Sequence, residues 1–214
     1  MPSNAHAQFI TQLEFVSQLI AIHGKLQTGK GRRYEQDAIH RAGVVMTVAA
    51  WESYIEEVVM EALDALERNA GIAVGTGATV VPAWARHAYS LRRAEIAENV
   101  KKFNTPNDVK VRDLLLGALE FNPWPDWHWH SGPRQWNERD MRDRLNDWLQ
   151  VRHSVAHGSA LPANISWLQD SQNRPRLTLQ LLKECKKFFE YVATQTDVGF
   201  RRWLVNHHGV PTPW

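Results

Sequence analysis

The sequence predicts an all-α protein, a bundle of four long helices plus a short one, and two observations carry that prediction. Apolar residues recur at three- and four-residue steps through most of the 214 residues, the period of one helix face. Between those stretches, glycine, proline and small polar residues gather in clusters that break helices. The chain is long enough for one domain with a real core, since about 150 residues already bury nearly 70% of their unfolded surface. That domain is expected to span residues 1–206, with 207–214 as a loose C-terminal tail carrying His207 and His208.

Phe9, Leu13, Val16, Leu19 and Ile20 set the first helix, over residues 4–27. Residues 23–33 then carry Lys25, Lys30, Arg32 and Arg33 with three glycines and no acid. Such a loop suits phosphate, although basic loops are more often merely solvated. Residues 24–31 read G-x-x-x-x-G-K-G, close to a P-loop. A helix rather than a strand precedes them, and Gly31 stands where the magnesium-binding Ser or Thr belongs, so that reading fails.

Residues 34–69 form the longest helical pattern, roughly 50 Å at 1.5 Å per residue. Val44, Val48, Trp51, Ile55, Val58, Ala62 and Leu66 make one stripe. Between Ala42 and Trp51 only Thr47 is polar, so this part is expected to be buried on all sides. Glu52 abuts it, and a carboxylate there implies a basic partner. Farther on, Glu56, Glu57, Glu61, Asp64 and Glu67 make an acidic face, ordinarily solvated.

After a Gly-rich connector, Pro82 opens a helix to about Phe103 in which Arg86, Arg92, Arg93, Lys101 and Lys102 outnumber the acids. The run Asn104-Thr105-Pro106-Asn107 stops it and caps the next, with Asn104, Thr105 or Asn107 as N-cap. Leu114, Leu115, Leu116 and Leu119 make the short buried helix. Residues 122–133 hold three prolines and Trp124, Trp127 and Trp129, which must pack on something: a helix end, or stacked bases at about 1–3 kcal/mol each. A zinc reading of His128-x-His130 lacks a third ligand nearby. The last helix, residues 177–206, buries Leu181, Cys185, Phe188 and Val192.

Charge and cysteine content narrow the functions. Lys+Arg 25 against Asp+Glu 23 leaves +2, so the molecule is no polybasic nucleic-acid binder and RNA contact must come from local asymmetry. A single cysteine excludes an intrachain disulfide and a cysteine-based zinc site. The longest nearly apolar run is far short of the ~20 residues that cross a bilayer, so a soluble protein without membrane partners is expected, in the reducing cytoplasm that a single cysteine fits.

The stretch the chain serves is Val151-Arg152-His153-Ser154-Val155-Ala156-His157-Gly158. Upstream, residues 134–150 are charged and rich in helix formers with no proline, so a helix runs on to Gly158, the expected left-handed residue past its end. His153 and His157 share a face, whereas Arg152 and His157 lie about 140° apart around the axis. An arginine and two imidazoles form a set able to cleave a phosphodiester.

This motif, Arg-polar-x-x-x-His-Gly, resembles the R-x4-6-H signature of the HEPN superfamily. Its company is more specific. Lys102-Phe103-Asn104-Thr105-Pro106-Asn107, then Val111 to Leu119, then the Trp-rich loop and the motif helix resemble the RiboL-PSP-HEPN branch, as does Ala49-Trp51-Glu52-Ser53-Tyr54-Ile55. The likeness covers roughly residues 35–190. Many relatives have Asn after the Arg, where this chain has His153.

The resemblance implies a HEPN-like bundle in a two-fold homodimer and a metal-independent endoribonuclease that needs no cofactor, of a toxin or defence kind. It implies catalytic Arg152, His157 and His153; Glu52, the carboxylate that needs a cation, is the supporting candidate, and the basic loop offers Lys30, Arg32 and Arg33 as RNA-binding candidates. RNA and a second copy of the chain are the expected partners, together with an antitoxin or regulatory protein. A non-catalytic RNA- or protein-binding module and a metallohydrolase using His128 and His130 are the alternatives.

Overall fold

The computed structural model describes residues 1–25, 36–71, 82–130, 132–133 and 135–214. It is all-α, and among the described residues there is no strand, only the lone bridges Trp129–Trp136 and Gln169–Pro175. The helices are α1 (Asn4–Lys25), α2 (Asp37–Asn69), α3 (Ala83–Lys101), α4 (Asp108–Leu119), α5 (Glu138–Ala156) and α6 (Leu179–His208). Five are long, one more than the four expected. α3, expected from Pro82 to about Phe103, is a polar helix that buries only Ile96 and Val100 and lies beside the bundle rather than in it.

The bundle proper is α1, α2, α5 and α6, with α2 at its centre against the other three. Trp51, fully buried, joins the layers: its ring meets Tyr54, Trp127 and Phe189, and its Nε1–H donates to the Pro106 carbonyl at 3.2 Å. The stripe from Val44 to Ala62 is buried as expected. The expectation that residues 42–51 are covered on all sides is not met, because α1, α5 and α6 leave one face of α2 open. Ala42, Met46 and Ala49 are exposed there.

The acidic face of α2 is less solvated than expected. Glu61 caps α1, accepting the backbone N–H groups of Asn4 at 3.0 Å and Ala5 at 2.9 Å. These are donors that a helix start leaves without intrahelical partners. Arg93 of α3 reaches Asp64 at 2.5 Å and Glu67 at 3.4 Å, so part of the basic flank of α3 is committed to the fold.

The Trp-rich loop is structural at all three tryptophans, and Trp129 is buried with its ring centre 4.3 Å from that of Tyr191. Trp127 is fully buried with its Nε1–H on Thr196 Oγ1 at 2.9 Å, and the Trp124 ring carries the Arg142 guanidinium 3.4 Å from its centre. Of the three candidate caps for α4, Asn107 serves: its side chain accepts the Lys110 N–H, while Thr105 sits at φ 51°. Within α4, Leu115 and Leu119 are buried, but Leu116 is exposed.

The C-terminus is not loose. α6 continues through His208 to a left-handed Gly209, and His207 stacks on Trp203. Val210 is buried, and Trp214 packs edge-on against Phe200. The tail docks because its two apolar residues find the core, while Arg68 and Asn69 donate to the Pro213 and Gly209 carbonyls.

His40 and His23 are buried together, with Nε2 of one 3.1 Å from Nδ1 of the other. Burial, and then the neighbouring His23, hold the His40 pKa below its ordinary value. A group that takes its proton less readily in the folded than in the unfolded state stabilises the fold above the unfolded pKa, about 6.5 for His, and that stability is lost as pH falls through the folded pKa. Thermal unfolding should therefore come earlier at pH 5.5 than at pH 7.5, and His40→Gln should narrow the gap. An equal acid loss in the variant would assign it to other groups.

Candidate catalytic site

α5 is fixed at both ends by its sequence. Asn137 accepts the Asp140 N–H while Asp140 accepts the Asn137 N–H, a capping box that starts the helix at Glu138 rather than at residue 134. Met141, Leu145, Trp148, Leu149 and Val151 bury one face. At the other end the helix stops at Ala156, with His157 as C-cap and Gly158 left-handed at φ 65°. A Cβ at that φ is strained, so glycine is the residue that can end the helix there.

Arg152 points to α2, where its Nη2 lies 3.9 Å from Glu52 Oε2. Both side chains are mostly buried, at 27% and 19% exposure. The basic partner that Glu52 required is thus Arg152. At 3.9 Å this is an ion pair but not a hydrogen bond, and the buried Nε–H of Arg152 has no acceptor. Beside the pair, burial first, then Glu52 and Glu57, raise the Glu56 pKa above the usual carboxylate value.

His153 and His157 are exposed, and their rings meet at 4.3 Å between centres. Within one chain the structure therefore brings the imidazoles together at the helix end and turns Arg152 toward α2. Lys30, Arg32 and Arg33 lie outside the described residues.

An open groove of about 530 Å³ adjoins His153 and is lined by Asn107, Asn146, Gln150, Ser154 and Asn164. None of these amides is expected from the sequence as a site residue, and Asn107 figures there only as a helix cap. Their signal was present, because Gln150 and Asn146 lie three and seven positions before His153, on its face of α5.

His128 Nε2 meets the Pro125 carbonyl and His130 Nδ1 meets Gln135 Oε1, so each ring has a protein partner. Among the described residues no three His, Cys, Asp or Glu side chains are grouped to hold a metal ion. Cys185 is fully buried in α6, as the sequence predicted, and burial raises its thiol pKa far above the ordinary value. Among the described residues no helix is long and apolar enough to cross a membrane.

One helix of this all-α bundle ends Arg-x4-His-Gly, its arginine paired with a carboxylate on the central helix, and the bundle is of the HEPN type. The RiboL-PSP-HEPN family model matches residues 12–198, and the chain belongs to that family. No curated protein and no solved structure matches it. HEPN-type membership suggests a ribonuclease-like or nucleotide-related function.

Proposed function

We propose that the protein is a metal-independent endoribonuclease whose active site is shared between two copies of the chain. The observation that carries this reading is the end of α5, where an arginine with an unused buried Nε–H and two solvent-facing imidazoles stand within six residues.

In the reaction, one imidazole removes the proton of a 2′-OH and the oxygen attacks the adjacent phosphorus. The guanidinium meets the negative charge on the phosphorane. A protonated imidazole then gives its proton to the departing 5′-oxygen, leaving a 2′,3′-cyclic phosphate and a free 5′-OH. General acid-base catalysis supplies about 10²–10⁴-fold, and a fixed donor on the oxyanion about 10²–10³-fold. His157 is the principal proton-transfer group, His153 its neighbour, Arg152 the phosphorane clamp, and Glu52 positions Arg152.

A second copy completes the site. Arg152 and His157 diverge by about 140° on one helix, whereas a two-fold contact places each beside the other's counterpart in the partner. The uncovered Ala42, Met46 and Ala49 on α2 give such a contact apolar surface, and Glu52 follows them along the same helix. A toxin or defence role, with a neutralising antitoxin or regulatory protein, would suit a nuclease that needs no cofactor.

The purified protein should cleave a labelled RNA panel equally well with and without EDTA. Cleavage abolished by EDTA and restored by zinc or manganese would instead support a metallohydrolase, and binding without cleavage a non-catalytic module.

A further inference from the structure

A second groove, of about 400 Å³, runs between α3 and α4. Its floor is apolar: Ile96 comes from α3, Leu114 and Ala118 from α4, and Phe103 from the turn that joins them. Ile96 is buried, and the other three are half-buried, packed on the core with one side open. Lys110, Leu114 and Gly117 recur at steps of four and three, so one face of α4 lines about 10 Å of the groove. Glycine is a poor helix former, yet at Gly117 a Cβ would meet nothing within 4 Å. A side chain there would fill the groove that glycine leaves open.

The charge around this floor is uneven. Both carboxylates on the wall are matched, Glu95 by Arg92 at 2.7 Å and Asp113 by Arg112 at 2.5 Å, and nearby Glu98 is held by Lys101 at 2.6 Å. Lys102 and Lys110 have no carboxylate at ion-pair distance among the described residues. Lys110 Nζ donates instead to the carbonyl and the side-chain oxygen of Asn104, at 3.0 and 2.8 Å. The turn end of the groove is thus positive. At the other end the apolar surface runs on, since Leu91 is 59% exposed one helical turn before Glu95. What fits is an elongated ligand, apolar along one side and negative at one end.

We propose that this groove docks an acidic amphipathic helix of a partner protein. The helix sets its apolar face on Leu91, Ile96 and Leu114, the helix-in-groove mode of recognition, and its carboxylates meet Lys102 and Lys110. The turn that closes the groove separates it from the one beside His153: Phe103 and Asn104 line the first, Thr105 and Asn107 the second. A partner seated on α3 and α4 therefore touches the turn that shapes the candidate site without covering the motif. The inference does not rest on the cleavage reading.

The test selects binders to the full chain from a displayed library of amphipathic helices whose polar positions are drawn equally from Asp, Glu, Lys and Arg. The selected helices should carry an excess of Asp and Glu. Gly117→Leu fills the groove with a better helix former, Lys102→Glu with Lys110→Glu reverses the charge of its turn end, and Lys183→Glu makes a reversal on the exposed face of α6. The helices should bind each groove variant at least ~10-fold more weakly, the scale of overpacking and of like charges at an interface, and Lys183→Glu as they bind the wild type. Circular dichroism checks the folding of each variant, and if one groove variant loses its helical signal the other decides. No selected binder, enrichment of Lys and Arg, wild-type affinity in a folded groove variant, or an equal loss in Lys183→Glu would overturn the proposal. A single-stranded 2′-O-methyl oligoribonucleotide that displaces the helices and is itself weakened by Gly117→Leu would assign the groove to RNA and overturn it as well.

Discussion

Substituting His157 by Ala should lower RNA cleavage by at least ~100-fold, the scale of a lost acid-base group, and should barely move thermal unfolding. The ring is exposed at the C-cap, and its backbone N–H still reaches the His153 carbonyl without the imidazole. Arg152→Ala should cost as much in rate, ~100-fold or more, on the scale of a lost oxyanion donor. It should cost somewhat more in stability, because it leaves Glu52 without its cation beside Glu56. His153→Asn should be milder and should alter the pH profile, since one imidazole of the pair no longer titrates. Rates are read on purified protein with circular dichroism alongside. Full activity in His157→Ala would remove the imidazole from the mechanism.

Replacing Trp51 by Ala should have the largest effect on the fold. Its ring is fully buried where α2 meets α6, the Trp-rich loop and the start of α4, and its N–H holds the Pro106 carbonyl. Truncating a buried Trp costs about 3–5 kcal/mol, a large share of the ~5–15 kcal/mol that holds a domain together. For a chain of this size that corresponds to a melting point lower by roughly 6–20 °C. Trp51→Phe should lose much less. A shift of only a degree or two in Trp51→Ala would mean that the centre of the bundle lies elsewhere.

The elements legible in the sequence were those whose own residues settle them. The stripes of α1, α2 and α6 are buried at most of the positions their period marks, with Leu19, Ile20, Leu66 and Leu181 only partly covered, and Gly158 ends α5 as a left-handed residue. What escaped was tertiary. Nothing local marks Glu61 as the cap of α1, or Arg93 as the partner of Asp64 and Glu67. The start of α5 was placed four residues early because Arg134 and Gln135 are good helix formers, while the cap at Asn137 decides the boundary. The open face at Ala42, Met46 and Ala49 could not be read from composition, since an apolar run looks alike whether the chain's own helices or a second protein covers it.

The candidate site divides in the same way. Arg152, His153 and His157 were visible as a motif, and Glu52 as a carboxylate in need of a cation, but their pairing across α2 and α5 required the fold. The amide-lined groove beside His153 went unread because Asn146 and Gln150 look like ordinary helix-surface residues until Asn107 and Asn164 arrive from other segments.

The central claim is one active site built from the Arg152 of one chain and the His157 of another, and mixing inactive variants tests it directly. Arg152→Ala and His157→Ala chains, each inactive alone, are unfolded together, refolded in equal amounts and assayed on RNA. In each mixed dimer one shared site would carry both lesions and the other neither, so random pairing should restore roughly a quarter of the wild-type sites. Recovery near that level is the predicted result. A mixture that forms dimers yet stays as inactive as its components would contradict the shared site.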